Sequence, residues 1–84
     1  EVSKVLLFGS YARGDHVPGS DIDIAFLVSE ITEKDKKITK DIQKKYMKQD
    51  LLFSPKLIEE KEFEQKVDEG FVFHESIADE GVQL

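Results

Sequence analysis

From Asp21 to Val28 the chain reads Asp-Ile-Asp-Ile-Ala-Phe-Leu-Val, and this octet constrains the fold more than any other stretch. Its opening alternates with the period of a β-strand. Asp21, Asp23 and Ala25 fall on one face, and Ile22, Ile24 and Phe26 on the other. A second apolar run, Val5-Leu6-Leu7-Phe8, ends at Gly9-Ser10 and reads as a buried strand. Between them, Ser10 is placed to cap a short turn Tyr11-Ala12-Arg13, which Gly14 stops. Asp15 to Ser20 then forms a turn-rich loop.

Beyond Val28, Thr32 or Ser29 can cap a helix that carries Glu33 and Asp35 in its first turn. Ile31, Ile38, Ile42 and Tyr46 recur at helical spacing, with lysines on the other face, over about 14 residues. Lys48 to Phe53 reads as a third strand, Asp50 and Leu52 facing one way and Leu51 and Phe53 the other, ended by Ser54-Pro55. Residues 56–69 are charged and weakly periodic; Leu57, Phe63 and Val67 anchor either a helix or an irregular excursion. Phe71 to Ala78 is a short helix opened after Gly70, Gly81 breaks it, and Val82-Gln83-Leu84 is an edge strand. The expected class is α/β (α+β): a small mixed sheet with helices packed on one face, in one domain spanning residues 1–84.

Composition excludes several functions. With 39% apolar residues and six Phe, the chain builds a core. It has no cysteine and two distant histidines, so neither a disulfide nor a thiolate or histidine zinc site is expected. No apolar run is long enough to span a membrane, and no basic-apolar signal segment opens the chain, so a cytoplasmic location is expected. The net charge of −6 argues against nucleic-acid binding through a broad basic face. The charge is uneven: −3 over residues 1–31, +3 over 32–53 and −6 over 54–84. Solvated helix faces are the default reading of that asymmetry, a partner surface the sharper one.

The chemistry concentrates between Gly9 and Ile24. Gly9 lets a ligand or another backbone come close, Ser10 supplies a hydroxyl, and the turn after it presents free N–H groups suited to phosphate. Arg13, the only arginine, can add a bidentate phosphate contact or else pair with Asp15 or an edge carboxylate. Asp21 and Asp23 offer two hard oxygen donors from one strand face, a set that suits Mg²⁺ carrying substrate phosphates. Asp50, if its face continues theirs, completes a two-metal site and can polarise or deprotonate an attacking hydroxyl. Phosphate cradle and carboxylates together imply metal-assisted phosphoryl or nucleotidyl transfer. Gly-Ser and Asp-x-Asp at one fixed spacing arise by chance in about one chain in a thousand of this length. The Walker alternative fails because Asp15-His16 stands where Lys-Ser/Thr is required.

Gly9-Ser10-Tyr11-Ala12-Arg13-Gly14 followed by Gly19-Ser20-Asp21-Ile22-Asp23-Ile24 resembles the signature of the DNA polymerase beta superfamily of nucleotidyltransferases, in its minimal branch. Lys48 to Phe53 resembles the family's later strand with its third aspartate, though Gln49 stands where an apolar residue is usual. Residues 73–84 resemble its closing helix and edge strand. The resemblance implies a palm-like mixed sheet, preceded by a helix that this chain does not include. It implies Asp21, Asp23 and Asp50 as catalytic metal ligands for two Mg²⁺ ions. Gly9, Ser10, Arg13 and Ser20 would bind the ATP phosphates. It also implies AMP transfer to a hydroxyl of a partner protein, a HEPN toxin tyrosine, in a toxin–antitoxin pair, with oligomer formation open. The rivals are a binding-only antitoxin and a transferase of small molecules such as antibiotics.

Overall fold

The computed structural model describes residues 2–49 and 52–84. Element order is β1 (Val2–Phe8), α1 (Ser10–Arg13), β2 (Ile22–Val28), α2 (Glu33–Met47), β3 (Phe53–Glu59), α3 (Glu60–Asp68), α4 (Val72–Glu80) and β4 (Val82–Gln83). The four strands form one mixed sheet in the order β3-β2-β1-β4. β1 pairs antiparallel with β2 and with β4, while β2 pairs parallel with β3. The parallel pair needs a crossover, and α2 supplies it. The α+β class and the small mixed sheet are therefore present.

The two sheet faces are covered differently. Register places Phe8 opposite Asp23, Leu6 opposite Ala25 and Lys4 opposite Leu27. On β3, Ser54 lies opposite Asp23 and Ile58 opposite Leu27. This face meets α3 and α4, and their Phe63 and Ile77 close a core with Phe8, Ala25 and Leu27. Ile22, Ile24 and Phe26 point the other way, toward Ile42 and Tyr46 of α2. The helices thus divide between both faces, whereas the sequence suggested one. The alternation in β2 explains the difference: both of its faces carry apolar side chains beyond Asp23, and each needs a cover. The α2 cover is loose. A groove of about 380 Å³ remains between that helix and the sheet. Ile38 and Tyr46 stay 46% and 37% exposed, so the α3–α4 side holds the tight core.

Local chemistry sets the boundaries. Thr32 caps α2 through a reciprocal box: the Asp35 amide donates to Thr32 Oγ1 at 3.1 Å, and the Thr32 amide donates to Asp35 Oδ2 at 3.2 Å. Glu33 and Asp35 at its start and Lys44 and Lys45 at its end oppose the helix dipole favourably. The helix ends at a cap on Lys48, so the strand expected over Lys48–Phe53 begins instead at Phe53. Ser54 and Pro55 lie inside β3 rather than ending it. A proline fits because β3 is an edge strand. The 56–69 segment is divided, the strand running on to Glu59 and α3 following directly. No helix among the described residues is long and apolar enough to cross a membrane.

Candidate functional site

The two halves of the motif meet where β1 ends beside the start of β2. Gly9 has φ 76° and ψ −155°, a backbone state that side-chain-bearing residues avoid. A Cβ there would overlap the Asp23 carboxylate, whose Oδ2 is the nearest atom. The register explains the closeness, since Phe8, the neighbour of Gly9, sits directly across from Asp23. Gly9 also serves as the N-cap of α1, and Ser10 is the first helical residue rather than the cap. The amides of Ala12 and Arg13 both donate to the Gly9 carbonyl at 3.1 Å, and Gly14 closes the turn in the left-handed conformation.

Asp21 immediately precedes β2, and Asp23 is the second residue of that strand. Ser54 Oγ of β3 lies 3.5 Å from Asp21 Oδ2, and Ser54 is the register partner of Asp23. Burial raises the Asp23 pKa above the ordinary carboxylate value, and the neighbouring Asp21 charge raises it further. The charges of Lys56 and Arg13 act in the opposite direction. Asp21 is exposed and borders a cavity of about 130 Å³ lined also by Gln43, Met47, Leu52, Phe53 and Ser54. Asp50 lies outside the described residues, so the third carboxylate has no described position. Among the described residues, no three potential metal-ligating side chains gather.

Arg13 takes the carboxylate partners that were the alternative to phosphate. Its Nε donates to Asp15 Oδ2 at 3.1 Å and its Nη1 to Glu80 Oε1 at 3.3 Å. Both pairs are exposed. Ser20 braces the loop: its Oγ accepts from the Val17 amide at 2.9 Å, and its own amide returns a bond to the Val17 carbonyl. Lys56, Glu80 and Ser54 escaped the sequence reading. Lys56 and Ser54 were hidden by the misplaced end of the third strand, and Glu80 meets Arg13 only across 67 positions of chain. The larger apolar groove lies on the sheet face opposite Asp23. Its lining of Ile22, Ile24, Phe26, Ile42, Tyr46 and Phe53 holds no charged group.

A glycine-serine turn packed against a strand carboxylate is one half of the expected geometry, and comparison with known proteins supplies the family. Residues 1–81 match the family described as nucleotidyltransferase domain. A protein of Methanocaldococcus jannaschii named "Putative protein adenylyltransferase" is 47% identical over 57 residues. That stretch is 66% of this chain and 58% of the relative, so the match spans under two thirds of the relative's length. No solved structure is a significant match. With its Gly9–Asp23 pairing and a family match running nearly end to end, the chain belongs to the nucleotidyltransferase domain family.

Proposed function

We propose that residues 1–84 act as one catalytic domain that transfers AMP from ATP to a hydroxyl of a partner protein, with Mg²⁺ as the metal. The observation that carries this reading is the Asp23 carboxylate packed against Gly9. It unites the phosphate turn and the metal-binding strand in one place. The name of the M. jannaschii relative supports a protein acceptor. The donor set fits a divalent cation: Asp21 and Asp23 offer two hard oxygen donors two residues apart, and burial followed by the Asp21 charge raises the Asp23 pKa, a shift that a bound cation would oppose. When bound, Mg²⁺ would neutralise phosphate charge and polarise the α-phosphate.

The chain's own groups have separable tasks. The Ser10 and Tyr11 amides at the start of α1 and the Ser10 hydroxyl would hold the phosphates, the Ala12 and Arg13 amides being bonded to the Gly9 carbonyl. Asp21 and Asp23 would hold the metal, with Asp50 as a third ligand that would take the acceptor proton. The acceptor oxygen forms its bond to the α-phosphorus as the bridge to the β-phosphate breaks, and pyrophosphate leaves with that electron pair. A tyrosine of a HEPN-domain toxin is the acceptor we favour, which would make the chain an antitoxin in the cytoplasm. Labelled ATP incubated with a HEPN-domain protein from the same genome tests this. Label should reach that protein in Mg²⁺ and be lost with Asp23→Asn. Label on an aminoglycoside instead would move the acceptor to small molecules. The engagement of Arg13 by two carboxylates favours a second reading, a binding-only antitoxin. Absence of label with either Mg²⁺ or Mn²⁺ would support it.

A further inference from the structure

Two rings lie one over the other beside the phosphate turn. Tyr11 of α1 and His16 of the following loop stack with centroids 4.1 Å apart and planes 9° from parallel. Tyr11 is half-buried and His16 is exposed, so the tyrosine backs the stack and the outer face of the imidazole meets solvent. The loop is braced on both sides of His16. The amides of Gly14 and Asp15 donate to the Ser10 carbonyl at 2.9 and 3.1 Å, and Arg13 holds Asp15. Val17 and Ser20 exchange two bonds of 2.9 Å. None of these bonds uses either ring, yet together they hold the pair close to Ser10. Ordering two side chains while one ring face stays in water costs conformational entropy. Such a pair is a prebuilt surface for a third flat ring.

We propose that the Tyr11–His16 stack is the platform for the base of the nucleotide whose phosphates lie on the Gly9–Ser10 turn. The proposal rests on the nucleotidyl-transfer reading and assigns residues to its base end. The apolar groove beside α2 is excluded as the base site because it opens on the sheet face away from Asp23. Phe73 is the competing aromatic. It is half exposed and near the site through Phe8, but it meets Phe8 edge-on at 87° instead of forming a parallel stack. Because a ring face carries no donor–acceptor pattern, the platform sets affinity for a flat heteroaromatic ring and not a choice among bases.

Calorimetric titration of Mg²⁺–ATP and Mg²⁺–tripolyphosphate into wild type, His16→Ala, His16→Phe and Phe73→Ala separates the possibilities, with melting temperatures checking that each variant folds. Wild type should bind ATP more tightly than tripolyphosphate. His16→Ala should weaken ATP about tenfold and leave tripolyphosphate within roughly twofold, while His16→Phe retains ATP affinity. Equal losses for both ligands would make His16 a phosphate contact and overturn the platform. Unchanged ATP binding, or a loss confined to Phe73→Ala, would overturn it as well. If wild type binds ATP and tripolyphosphate alike, the platform fails and the transfer reading stands. If it binds neither, both fail.

Discussion

Asp23 binds its proton more tightly in the folded protein than a free carboxylate does, even with Lys56 and Arg13 acting against this. Burial, and then the Asp21 charge, raise its pKa in the folded protein. The folded state thus binds this proton more tightly than the unfolded chain does. The corresponding stability is fully present at low pH and is lost as pH rises through the raised folded value. Asp23→Asn should therefore melt at or above the wild-type temperature at neutral pH, with the gap closing on acidification. Thermal unfolding of both proteins from about pH 3.5 to about pH 8 checks this, and an Asn variant less stable by the same amount throughout would contradict it. Arg13→Lys addresses the other charged group. Its pairs with Asp15 and Glu80 are exposed, so the melting temperature should barely move. With the guanidinium engaged by Asp15 and Glu80, ATP affinity should stay within about twofold; a fall of about tenfold or more would place the planar fork on phosphate, because an ammonium cannot reproduce it. The approach of the Gly9 turn to Asp23 was legible because it depends on two runs with a strand period, whereas the cap of α1 was not, since Gly9 fills it in place of Ser10. Glu80 and Lys56 were not, since their proximity to Arg13 and Asp23 exists only once the sheet and α4 have assembled.

Among the elements, α2 was legible from its cap and its isoleucine spacing, and β3 was not. A strand expected before Ser54-Pro55 is found after Leu52, because an edge position tolerates the proline that would end a central strand. The helix α2 stops at Met47 with Lys48 as its cap, just short of the residues that the sequence assigned to that strand. The capping box that starts α2 is testable on its own. Bonds from the backbone and side chain of Thr32 hold the Asp35 carboxyl below its ordinary pKa. Thr32→Ala should lower stability by about 1 kcal/mol, read as a shift in the urea midpoint with an unchanged slope. An unaltered midpoint would mean that packing alone sets the start of the helix. Gly70, at φ 83°, follows the end of α3, where its amide donates to the Val67 carbonyl, and there the sequence placed the break correctly.

Over the whole molecule, the unequal covering of the two sheet faces should appear as unequal protection. Ala25 and Leu27 are 0% and 2% exposed, whereas α2 contributes no fully buried residue. Hydrogen exchange should be slowest at the β2 amides and markedly faster along α2, which opens without global unfolding. Uniform protection would show that α2 is as firmly seated as α3 and α4. The same division separates charge. The Glu33–Met47 helix carries net +3 on one side of the sheet, and the helices Glu60–Asp68 and Val72–Glu80 carry −2 and −3 on the other. The molecule is therefore polarised from one face of the sheet to the other, with the negative pole on the side that Asp23 faces. A free nucleoside triphosphate, itself a polyanion, approaches that pole against the field. Its association should quicken as salt rises, the reverse of electrostatic steering, and should quicken further when the nucleotide arrives already complexed to its cation.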